Sequence, residues 1–246
     1  MQESSTATAE QVVAELRALA DKKRAESSAW YFKAGPGEYG EGDRFLGVRV
    51  PQTRVVANRF RYLEPGELFE LAHSPWHEAR LCALIILVNQ FRRAKHESER
   101  AEGFDHFMRL LDDGVINNWD LIDSSAPYLG QWLIGRPEAK QLRLELAYSP
   151  SIWKRRAAIM LTAANIRVND FEPTVELANH LLNDSHDLVQ KAVGWMLREV
   201  GNRDVTALRR FLKQHASVMP RTMLRYSIEK LEPEERAEWL GRKAPR

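Results

Sequence analysis

Apolar residues recur at helical spacing almost from the start of the chain. Val12, Val13, Leu16, Leu19 and Ala20 follow the segment Thr8 to Gln11, whose Thr-x-x-Gln spacing is that of a capping box. A helix is expected there. The pattern then breaks in YFKAGPGEYGEGDRFLGVRVP, where Gly35, Gly37, Gly40, Gly42 and Gly47 together with Pro36 call for a loop. This loop lacks the terminal Gly-Lys-Ser/Thr of a nucleotide-binding P-loop, which removes that reading. Pro51 opens the next helix in its first turn, where the missing amide hydrogen costs little. From there onward helical patterns alternate with short breakers at Pro65, Pro75, Gly114, Pro137, Pro150, Pro173, Gly201, Pro220 and Pro233. No segment shows the two-residue alternation of a strand.

Four of the helical segments can be placed in register: EARLCALII (78–86), NNWDLIDSS (117–125), WKRRAAIML (153–161) and VQKAVGWML (189–197). Their starts lie 39, 36 and 36 residues apart, each interval being expected to hold one further helix. That period suits a two-helix repeat of the HEAT or armadillo kind, although other helix pairs have similar lengths. The expectation is an all-α, HEAT-like helical-repeat solenoid with more than about 60% helix, well above the globular average. In this register position 123 corresponds to 159 and 195. With i,i+3 and i,i+4 neighbours sharing a face, Trp119, Asp123, Arg156 and Trp195 fall on one stripe across three helices. Stacked helix pairs curve, so such a stripe is expected to line a concave surface suited to a long ligand.

Composition narrows the choices. Of 246 residues, 44% are hydrophobic, enough for one continuous core, and a single domain over 1–246 with a flexible first few residues is expected. The apolar run Leu84 to Val88, even taken with the Leu81 to Ala83 that precede it, is far short of the roughly 20 residues that span a bilayer. The start MQESSTATAEQ lacks a signal-peptide pattern, so a cytoplasmic protein without membrane contact is expected. Thirty-six basic residues against 34 acidic ones leave a net charge of only +2. Their distribution says more: basic residues gather at Arg49 to Arg61, at Arg92, Arg93 and Lys95, at Lys154 to Arg156 and from Arg198 to Lys213. Solvated helix faces would account for any one of these clusters.

Several chemistries are excluded. Cys82 is the single cysteine and lies in the apolar stretch RLCALIILV, so a buried structural thiol is expected rather than a nucleophile. His73 and His77 are four residues apart, but Pro75 breaks the helix between them and Glu78 has no further ligand to join it; no metal site is expected. Ser124 and Ser125 have no GxSxG context, and there is no Cys-x-x-Cys pair. What remains is Asp123 sharing its stripe with two tryptophans and an arginine. Aromatic faces beside a carboxylate suit a cationic or electron-poor group. The structural alternative is an Asp-to-Arg ladder between repeats with Trp119 and Trp195 as packing.

Taken in order, YFKAGPGEYGEGDRFLGVRVPQTR, NNWDLIDSSAPYLGQWL, SIWKRRAAI and QKAVGWMLRE resemble the AlkD-type DNA alkylation repair family over nearly the whole chain. The resemblance implies a helical-repeat solenoid that cradles duplex DNA and excises purines bearing a cationic alkyl lesion, such as 3-methyladenine or 7-methylguanine. It places the catalytic carboxylate on Asp123, the sugar-contacting tryptophans on Trp119 and Trp195, a DNA-contacting arginine on Arg156 and a further site-proximal tyrosine on Tyr31. Lys154, Arg155, Lys191 and Arg198 would be additional DNA contacts. Asn118 departs from the family's pattern, which often carries an aromatic residue there. No cofactor and no metal are implied, the partner is duplex DNA containing alkylated purines, and a monomer is expected. Two other readings stay open: a noncatalytic helical-repeat protein that binds DNA structures, and a protein-binding scaffold.

Overall fold

A computed structural model describes residues 7–242; the expectation for the first few residues concerns positions outside them. Of the described residues, 68% are helical. The described residues form no strand, only an isolated parallel bridge between Arg44 and Trp76. None of their helices is long and apolar enough to cross a membrane. The chain divides into two compact units, one ending at Ser125 and one beginning at Ala126.

The first unit comprises α1 (Ala9–Ala18), α2 (Lys22–Tyr31), α3 (Val50–Arg59), α4 (Pro65–Ala72), α5 (His77–Arg93), α6 (Glu97–Asp112) and α7 (Trp119–Asp123). The capping box at the start of α1 is present: Gln11 N–H donates to Thr8 Oγ1 at 3.3 Å and Thr8 N–H to Gln11 Oε1 at 3.1 Å. Val12 and Leu16, one turn apart, are buried. α5 is the centre of the unit because it is apolar nearly all round. Every residue from His77 to Val88 is buried, and α3, α4 and α6 pack on it. Cys82 lies within this run, and burial, with a smaller push from Glu15, raises its thiol to about 12, which suits a packing role.

The glycine-rich segment between α2 and α3 is a loop whose shape is set by its contacts. Glu78, in the first turn of α5, accepts hydrogen bonds from the amides of Leu46 (2.9 Å), Gly47 (2.7 Å) and Val48 (3.2 Å). Three donors around one buried carboxylate convert the loop backbone into a fixed turn. Gly47 is required there: its φ is +80°, and a Cβ would stand 2.2 Å from the carbonyl oxygen of Asp21.

The second unit comprises α8 (Ala126–Leu129), a 3-10 turn (Gly130–Leu133), α9 (Ala139–Ala147), α10 (Ile152–Leu161), α11 (Ala163–Arg167), α12 (Glu172–His180), α13 (Asp187–Arg203), α14 (Val205–His215), α15 (Arg221–Ser227) and α16 (Pro233–Gly241). Here α13 is central, with α10, α14 and α15 against it. Its close approach to α15 depends on Gly194, where a Cβ would lie 2.5 Å from Met223 O.

The four segments aligned by register fall on α5, α7, α10 and α13. The first interval holds one further helix, α6, as expected, and the other two are richer. The second holds α8, the 3-10 turn and α9, and the third holds α11 and α12. α11 is separated from α10 at Thr162, whose hydroxyl donates to Ile159 O at 2.7 Å and accepts from Thr174 at 2.9 Å. A threonine that bonds back to the preceding turn in this way bends a helix.

Candidate functional site

In the first unit, α7 carries two of the residues singled out by the sequence. Trp119 and Asp123 are its first and last residues and share one face, both half-buried, while Leu121 and Ile122 are buried. A helix of one turn has too few internal hydrogen bonds to hold itself, so its pose comes from its surroundings. Asn118 supplies the start. Its Oδ1 accepts from Trp119 N–H at 2.9 Å, and its Nδ2 donates to Phe32 O at 3.3 Å and Asp43 Oδ2 at 3.4 Å. Asn118, which departs from the pattern of the resembled family, is thus a fully buried amide that ties α7 to the loop.

Tyr31 is the last residue of α2, so the helix reaches into the segment whose glycines call for a loop. The residue is 56% exposed, and its ring meets Trp119 edge-on with centroids 6.0 Å apart. Trp119 in turn stacks on Phe32 at 5.5 Å, and Phe32 stacks on Phe45 at 5.4 Å. Trp30 and Tyr31 help to line a shallow recess with Lys23, Glu26 and Ser27, and Lys33 Nζ sits 5.3 Å from the centre of the Trp30 ring.

Beneath the aromatic stack lies a buried charged cluster that the sequence reading did not find. His77, 2% exposed, faces Asp43 Oδ2 with Nδ1 at 3.0 Å and Asp120 Oδ2 with Nε2 at 2.9 Å. Arg80 pairs with the other oxygen of Asp43, which also accepts from Asn117 Nδ2 at 3.0 Å. Burial disfavours the charged form of His77, but the charges and hydrogen bonds of Asp120 and Asp43 outweigh it and raise the imidazole to about 9. Burial likewise works against ionised Asp43, yet the His77 hydrogen bond and the Arg80 charge bring it down to about 2. Among the described residues no group of three or more His, Cys, Asp or Glu side chains is arranged to hold a metal. His73, the other member of the sequence pair, contacts Phe69 O and Asp113 instead.

In the second unit, Lys154, Arg155 and Arg156 lie on α10 and Lys191, Trp195 and Arg198 on α13. Arg156 is only 4% exposed and donates through Nη1 to Leu188 O, so it fastens α10 to α13. Arg155 binds Asp184 through Nε at 2.6 Å and caps the carbonyls of Ser149 (3.0 Å) and Pro150 (2.9 Å). Lys191 pairs with Asp187 at 2.5 Å, and Arg198 with Glu229. Trp195 is half-buried and donates its indole N–H to Glu199 at 3.0 Å.

The fold places the molecule among all-helical proteins of the HEAT-like repeat class. The model of the DNA alkylation repair enzyme family matches residues 12–231, and the chain belongs to that family. A solved structure, a predicted DNA alkylation repair enzyme from Enterococcus faecalis, is 15% identical with a TM-score of 0.67, covering 87% of this chain and 97% of its own. A second belongs to a family of proteins related to the HEAT-like repeat DNA glycosylases with affinity for branched DNA structures; it is also 15% identical, with a TM-score of 0.53 over 90% of this chain and 83% of its own. At that identity both show a shared fold. No curated protein matches the sequence.

Proposed function

We propose that the protein is a DNA glycosylase that hydrolyses the N-glycosidic bond of cationic alkylated purines in duplex DNA. The observation that carries this reading is the placing of Trp119 and Asp123 on one face of α7, with Tyr31 against the Trp119 ring, in a chain of the DNA alkylation repair enzyme family.

An alkylated purine with a formal positive charge departs as a neutral base, because the bonding electrons of the glycosidic bond cancel its charge. It needs no general acid, so one carboxylate is enough, unlike the pair used by most sugar hydrolases. As the bond stretches, positive charge grows on the deoxyribose. Asp123 stabilises that charge and positions the water that attacks the anomeric carbon. Trp119 adds the negative face of its ring to the cationic sugar, and Trp195 of the second unit is a further aromatic contact to the DNA. Tyr31 lies next to Trp119 at the edge of the same site. In the second unit Lys154, Lys191 and Arg198 contact phosphates, whereas Arg156, buried and bonded to Leu188 O, and Arg155, held by Asp184, keep α10 in place behind them.

The test is release of 7-methylguanine and 3-methyladenine from N-alkylated duplex DNA by the purified protein. Release well above the spontaneous rate is expected. Tight DNA binding without release would transfer the reading to a noncatalytic DNA-structure binder, in line with the affinity for branched DNA of the second structural relative.

A further inference from the structure

The charged cluster below Trp119 is costly to build. Burying carboxylates and an imidazolium in one place brings a desolvation penalty that pairing only partly offsets, and an apolar cluster of similar volume often serves stability as well or better. The cluster is also specific in its geometry. A neutral imidazole has one N–H, yet both ring nitrogens of His77 face carboxylate oxygens at hydrogen-bond distance. Both contacts are satisfied only when the ring is doubly protonated and donates twice.

His77 reaches α7 by two routes. One is polar: Nε2 holds Asp120, the residue between Trp119 and Leu121, and the other oxygen of Asp120 is buried with no hydrogen-bond partner among the described residues. Without His77 the Asp120 carboxylate loses the hydrogen bond that compensates its partial burial. The other route is aromatic. The His77 ring lies 4.9 Å from Phe32 and 4.8 Å from Phe45, and Phe32 is the ring on which Trp119 stacks. A cationic imidazole against two phenyl rings adds a cation–π attraction to the packing. Asp43 anchors the far side, taking His77, Arg80, Asn117 and Asn118 on its two oxygens.

We propose that His77 is a positioning residue: clamped between Asp43 and Asp120 and packed against Phe32 and Phe45, it fixes the pose of α7 and so of Trp119 and Asp123. This inference rests on the glycosylase reading for its consequence in catalysis, but its structural content is independent of it. The charged groups facing His77 are Asp43 of the loop, with Arg80 of α5 behind it, and Asp120 of α7. With the folded imidazole at about 9 against an ordinary 6.5, its contribution is complete below pH 6.5 and is lost as pH rises through about 9.

The test uses the full chain labelled with 5-fluorotryptophan, the Trp119 signal being assigned by Trp119→Phe. His77→Gln keeps one neutral donor but removes the charge, the second donor and the ring; Asp120→Asn, which keeps side-chain shape, is the second variant should the first fail to fold. In the wild type the Trp119 fluorine signal is expected to be a single sharp line up to pH 8 and to shift and broaden as pH rises through about 9. In either variant it is expected to be shifted and broadened already at pH 7. Single-turnover excision is expected to fall by about tenfold with DNA affinity within twofold of wild type. A Trp119 signal unchanged in the folded variants would overturn the inference. A wild type that releases no base, with the fluorine signal responding as expected, would overturn the glycosylase reading and leave the positioning role standing.

Discussion

Arg155 shows how one residue can be read in two ways. Its place in the Lys154 to Arg156 run suggests a phosphate contact, whereas its guanidinium is engaged by Asp184 and by two carbonyls at the turn before α10. Arg155→Ala would strand a carboxylate whose side chain is only 5% exposed, and breaking a largely buried pair from one side costs about 3 kcal/mol. The Tm is expected to fall by roughly 6–12 °C on the scale of 2–4 °C per kcal/mol for a chain of this size. A variant with unchanged Tm and weakened DNA binding would return Arg155 to the DNA interface. That Trp119 and Asp123 share a face was legible from their i,i+4 spacing, which holds on any helix. His77 was not. Its partners are 34 and 43 residues away, beyond any helical spacing.

At the scale of elements, the helices with strong apolar periodicity were legible and the others were not. α1 announced itself through Thr8 and Val12 to Leu16, and α3 through Pro51. α2 has no buried residue at all, so hydrophobic patterning carried no trace of it; its signal was Asp21, whose side chain accepts from Arg24 N–H at 2.9 Å as the N-cap. The break between α10 and α11 depends on the hydroxyl contacts of Thr162, one of them to Thr174, which no local pattern reveals. The loop between α2 and α3 was legible as a loop, but the carboxylate of Glu78 that shapes it lies 30 to 32 residues from the amides it holds. Its conformation makes a prediction. Gly47→Ala would force a side chain onto φ +80° and into the Asp21 carbonyl, so a loss of more than about 1 kcal/mol in unfolding free energy is expected from urea denaturation. An unchanged midpoint would mean that the turn does not depend on glycine.

For the whole molecule, the 36- to 39-residue register identified helices that the structure contains, and the family match extends over residues 12–231. Helical repeats are legible because each must bury a periodic apolar stripe against its neighbours, whereas ion pairs formed between distant segments leave no periodic mark. A net charge of +2 likewise concealed how many of the basic residues are engaged with acidic partners inside their own unit, as Arg155, Lys191 and Arg198 are. The central claim is that the molecule excises alkylated purines by holding the Asp123 carboxylate against a developing sugar cation. The most direct measurement is single-turnover release of 7-methylguanine by wild type and Asp123→Asn, alongside their DNA affinities and melting temperatures. Asp123→Asn keeps size and shape while removing the charge, and loss of one preorganised electrostatic contact of this kind costs about 100-fold or more in rate. The predicted result is that loss with DNA affinity and Tm held. Equal excision rates in two equally folded proteins would contradict it.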